Sequence, residues 1–165
     1  MGNGFERASD YLGDHPHSLW SSNARGAIRL VISRVPGEWL ASRQESPILF
    51  IEVRDISVTW RVREGLAPGS DLVLLDPRAS ELPNQQLAGV LAHELAHVYI
   101  RDTTGNPTPQ TTEGEMEADR VAASWGFGRE LHAHLAAEVA EGTLPKELIE
   151  QVNARIAALE LLIGQ

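Results

Sequence analysis

A chain of 165 residues with 42% hydrophobic side chains is the size of one compact domain and can bury about two-thirds of its unfolded surface. Its net charge of −9 has the wrong sign for phosphate backbones, and with no cysteine it can form neither disulfides nor thiolate metal sites. Any metal site must therefore use histidine and carboxylate, and no nucleic-acid partner is expected. No apolar run is long enough to cross a bilayer, and the first residues lack a basic start and an apolar core, so the expected location is cytoplasmic, without a membrane partner.

In chain order, residues 1–18 mix glycine, aspartate, histidine and proline without periodicity and predict a flexible N-terminal segment ahead of a single domain over 19–165. From Leu19, the spacing of Ala24, Ala27, Ile28, Val31 and Val35 predicts a helix that Pro36-Gly37 interrupts. Pro47 to Val53 is a short apolar run. Ile56, Val58, Trp60 and Val62 then alternate with polar residues, which predicts a hairpin, and Asp71 to Leu75 adds a third strand. The remainder reads as helix. Pro83 suits a first turn ahead of the stripe Leu87, Leu91, Leu95 and Val98. A polar loop, 101–114, leads to a helix bearing Ala118, Val121, Ala122 and Trp125, with Gly126 and Gly128 as stops. Two further helices follow, over 129–141 and 145–162. Strands ahead of a helical set predict an α+β fold with a small, mostly antiparallel three-stranded sheet.

The segment Val90 to Ile100 contains His93-Glu94-Leu95-Ala96-His97. Four-residue spacing puts both imidazoles on one helical face a turn apart, where two nitrogens can reach a single cation. Glu94 lies about 100° around the helix from His93, close enough to act as general base on a metal-activated water without ligating the metal. The apolar neighbours Val90, Leu91, Ala92, Leu95, Ala96 and Val98 argue that the helix is largely buried, where unpartnered imidazoles would cost free energy.

Glu115 and Asp119 on the following helix share a face, so Glu115 can supply a third ligand while Asp119 fixes a histidine tautomer from behind. Thr112 to Glu115 also matches a capping box, which would occupy Glu115 with its own helix; Glu113 and Glu117 are alternative ligands. Tyr99 should point away from the metal face, and His132 and His134 read as surface histidines that could otherwise stabilise an oxyanion.

His93-Glu94-x-x-His97 followed by Glu115-x-x-x-Asp119 resembles the gluzincin metallopeptidases, and among them the minigluzincin, ImmA/IrrE-type and HtpX-like peptidases. The resemblance covers 90–125, about a fifth of the chain. It implies a zincin-like domain with one zinc ion, His93, His97 and Glu115 as ligands, Glu94 as catalytic base and acid, and Asp119 behind the ligands. It further implies an extended peptide or protein substrate held along an edge strand, 56–63 or 71–75. The expected activity is that of a zinc-dependent endopeptidase. The alternatives are a zinc-binding regulatory or interaction domain without turnover, and a latent peptidase whose cleft is covered by the last helix or by the N-terminal segment with Asp10, Asp14, His15 and His17.

Overall fold

The computed structural model describes residues 21–43, 45, 47–52, 70–75 and 81–164. The segment expected to be flexible, 1–18, and the alternating run 56–63 lie outside them. The chain divides between Asn84 and Gln85 into two compact units.

In the first unit, Ser21 opens helix α1 (Ser22–Ile32) by accepting the Ala24 amide on its hydroxyl at 3.1 Å. The expected face forms: Ala24, Ala27, Ile28 and Val31 are buried, and Val35 just beyond the helix is buried as well. Pro36 ends that stretch as expected, but the chain turns helical again at once in α2 (Gly37–Ser42), which buries Trp39 and Leu40. Strands β1 (Ile48–Glu52) and β2 (Asp71–Leu75) follow.

The two strands pair in parallel, with Ile48 opposite Asp71 and Glu52 opposite Leu75. This corrects the expected mostly antiparallel sheet for the described strands. A parallel pair cannot be closed by a two-residue hairpin turn, and 18 residues, 53–70, separate the two strands in sequence. Ile48 and Phe50 of β1 and Val73 and Leu75 of β2 are buried, while Leu74 is exposed. An ion pair between Arg43 and Asp71 ties the end of α2 to the start of β2.

The second unit is helical. Helix α3 starts at the close of the first unit and runs Asn84–Thr104, with Leu87, Leu91 and Leu95 buried as the stripe requires. Helix α4 (Thr112–Ser124) is capped by Thr111, whose hydroxyl accepts the Gly114 amide at 3.3 Å. Its end is marked by Gly126 at φ +86°, as its sequence suggested, but Gly128 opens the next helix instead of stopping this one. Helices α5 (Gly128–Glu141) and α6 (Lys146–Ile163) complete the unit, α6 packing on both α4 and α5.

At the α3–α4 contact Ala96 and Ile100 meet Ala118, with Val121 and Trp125 beside them. Tyr99 faces Trp125 edge to face at 5.5 Å, which confirms that it turns toward packing and not toward the histidines. No helix among the described residues is long and apolar enough to cross a membrane.

Candidate metal centre

Helix α3 projects His93 and His97 from successive turns, and α4 brings Glu115 to meet them. His93 Nε2 lies 3.1 Å from His97 Nε2 and 3.1 Å from Glu115 Oε2, and His97 Nε2 lies 3.6 Å from Glu115 Oε1. The imidazoles stand edge to face, 4.6 Å between centroids.

Three atoms rich in lone pairs thus converge on one point. A tetrahedral zinc ion, with bonds of about 2.0 to 2.1 Å, spaces its ligands about 3.3 Å apart, and the observed separations bracket that value. Among the described residues this is the group of histidine and acidic side chains that could hold a metal ion. Two nitrogens and one oxygen suit a borderline cation such as zinc.

The capping box at Thr112, the competing reading for Glu115, does not form. Thr111 takes the cap one residue earlier and bonds Gly114, which leaves the Glu115 side chain to point into the cluster. Glu113 and Glu117, the alternative ligands, are exposed and stand outside it.

Asp119 sits behind the ligands, 1% exposed, with Oδ1 2.8 Å from His93 Nδ1. Accepting the Nδ1 proton there aims the Nε2 lone pair at the cluster. The same carboxylate receives a fork from Arg155 of α6, Nε to Oδ2 at 2.8 Å and Nη2 to Oδ1 at 2.7 Å. Arg155 reaches further: Nη1 is 3.3 Å from Glu115 Oε2, and Nη2 is 3.4 Å from His93 Nδ1. This arginine was not anticipated. Its signal in the sequence is a lone cation on the stripe Val152, Ile156, Leu159 that α6 turns toward its neighbours.

The electrostatics follow from this crowding. Burial by itself would push the His93 imidazole down, but its hydrogen bonds to Asp119 and then Glu115 outweigh burial and lift it to about 9. Burial, reinforced by the neighbouring His93 cation, pushes His97 down. Glu115 is held below the usual carboxylate range by its hydrogen bond from His93, against the effect of burial. Burial also opposes ionisation of Asp119, yet the bonds from Arg155 and His93 keep it low. In the metal-free cluster a proton is therefore held more readily by His93 than by His97.

The cluster forms part of the wall of a cleft of about 390 Å³. Glu94 is exposed on that wall beside His93, and makes no hydrogen bond or ion pair among the described residues. Val98 and Arg101 extend the α3 side, and Pro107 to Gln110 form the opposite side. That loop can approach because residue 114 has no side chain: a Cβ there would lie 2.0 Å from the Pro109 carbonyl oxygen.

His132 and His134 do not line the cleft. His132 lies 3.3 Å from Glu160 and His134 3.5 Å from Glu138, and both are half-buried instead of being free on the surface. No residue of α6 is among those lining the cleft. No family model, curated protein or solved structure matches this chain.

Proposed function

We propose that the protein is a zinc-dependent peptidase, with His93, His97 and Glu115 as the ligands and Glu94 as general base and acid. The observation that carries this reading is Glu94: an exposed carboxylate that makes no hydrogen bond or ion pair among the described residues, on the wall of a cleft, adjacent to a ready ligand set. A purely structural metal site has no use for such a group. A zinc ion held by these residues would supply Lewis acidity, polarising a scissile carbonyl and making water acidic enough to deprotonate near neutral pH.

The chain's own residues do the rest. Glu94 takes a proton from the attacking water on its carboxylate and passes it to the departing amine. Asp119 keeps the His93 ring from turning by holding its Nδ1 proton, so the Nε2 lone pair stays committed to the cluster. A cleft of about 390 Å³ takes a few residues of an extended peptide, and main-chain binding of that sort gives affinity with broad sequence choice.

The test uses protein purified without a histidine tag. Wild type is expected to carry about one zinc per chain and to cleave a disordered protein substrate. Glu94→Gln should retain the zinc and lose cleavage by about 10²- to 10⁴-fold. A Glu94→Gln protein that cleaves at the wild-type rate removes the assigned role, and a wild type that holds zinc without cleaving anything leaves a metal-binding domain.

A further inference from the structure

The cluster contains a cation of its own. Arg155 touches Asp119 through two nitrogens at 2.7 and 2.8 Å, lies 3.3 Å from Glu115 Oε2, and sits 3.4 Å from the Nδ1 edge of His93. Only 13% of its side chain is exposed. A guanidinium presents its donors in a fixed fork and stays protonated, so its single positive charge offsets part of the charge of the two carboxylates whether or not anything else is bound. Its Nη2 stands at the Nδ1 side of His93, away from the two Nε2 atoms, while Nη1 flanks the Glu115 carboxylate, which can face a cation and accept from a guanidinium together. It can therefore keep its place beside an occupied site.

We propose that Arg155 is a resident counter-cation: it keeps the acidic ligand shell of α4 folded against α3 when no metal is bound, and it opposes a metal when one arrives. The inference rests on the metal-binding reading of the cluster and not on turnover.

The sign follows from counting charges. Asp119 is a buried carboxylate and Glu115 a half-buried one, and the Arg155 guanidinium lies 2.7 Å from the first and 3.3 Å from the second. A divalent ion on the ligand atoms would raise the local positive charge, so the guanidinium would gain less from the carboxylates and be repelled by the ion. Arg155 must then stabilise the metal-free fold more than the metal-bound one. Coupling of this kind is reciprocal, so a residue that stabilises the empty site more than the filled one weakens metal binding by the same factor. A residue that merely positioned the ligands would have the opposite effect.

Arg155→Met and Arg155→Lys in the full chain test this, with melting temperatures recorded in chelator and in saturating zinc, and zinc affinity measured by competition with a chromophoric chelator. In Arg155→Met the metal-free melting temperature should fall further than the zinc-bound one, and zinc should bind about tenfold tighter. Arg155→Lys keeps the charge but loses the fork, and should shift both readings in the same direction by less. If the methionine variant does not fold without metal, the lysine variant carries the test alone. Equal losses in both states with unchanged affinity would reduce Arg155 to an ordinary buried ion pair, and weaker zinc binding would make it a ligand-positioning group; either result overturns the proposal. A wild type that binds no zinc overturns the site itself. Absence of peptidase activity in a zinc-loaded wild type bears on the catalytic reading alone.

Discussion

Replacing Gly114 with alanine should move one wall of the cleft. The added Cβ would lie 2.0 Å from the Pro109 carbonyl oxygen, while ordinary contact starts near 3.4 Å, so loop and helix must separate by about 1.4 Å. The obstacle is backbone, which cannot swing aside as a long side chain could. Alanine gains up to about 1 kcal/mol in helix propensity. Against this, overpacking costs about 1 to 3 kcal/mol. Loss of the bond from the Gly114 amide to Thr111 adds about 1 kcal/mol more. The net expectation is a destabilisation of about 1 to 3 kcal/mol. Urea denaturation of the metal-free protein measures it as a lower midpoint at unchanged slope. Because Thr108 to Gln110 retreat with Pro109, the same variant should bind a peptide substrate more weakly while zinc affinity changes little. Glu117→Ala, exposed on the same helix, is the control and should stay within about 0.5 kcal/mol of wild type. A Gly114→Ala midpoint at or above wild type would refute the close-approach argument.

Other outcomes follow from the same geometry. Glu115→Ala should lose bound zinc while Glu117→Ala keeps it, measured by metal analysis after dialysis; the reverse result would move the third ligand. His93, raised to about 9, stabilises the metal-free protein most fully below its ordinary value of 6.5, and that contribution disappears as pH rises through about 9. Asp119 and Glu115, both lowered, contribute above their ordinary values of 3.8 and 4.5 and are lost as pH falls, so the melting temperature of chelated protein should decline on both sides of a near-neutral maximum. Zinc titrated near pH 7.5 should release at least one proton, from His93 and in part from the metal-bound water, seen as a binding heat that depends on the buffer's ionisation enthalpy; a buffer-independent heat would mean that His93 was already neutral and that no water was deprotonated. Gly89→Ala should also destabilise, because its Cβ would come within 2.6 Å of the Leu131 amide nitrogen of α5.

The helices and the ligand pair were legible because their information is local. A period near 3.6 marks the buried faces of α1 and α3, and two histidines four apart on a helix must share a side. What depends on distant partners was harder to read. Alternation says which residues of a strand are buried but not which strand lies beside it, so the parallel pairing of β1 with β2 went unread. The cap sits at Thr111, one residue ahead of the box read at Thr112, and the Pro109 loop that lies against Gly114 left no local signal. Arg155 is 36 residues from Asp119 and 62 from His93, and only the packing of α6 brings it to them.

The proposed ligands lie on either side of the connection between Thr104 and Thr112, two on one helix and one on the next. An ion gripping all three would staple this corner shut, so that fraying of the last turns of α3 or the first turns of α4 would have to wait for the ion to leave. Amide hydrogen exchange at those turns should then slow on adding zinc, leaving the distant end of α6 unchanged.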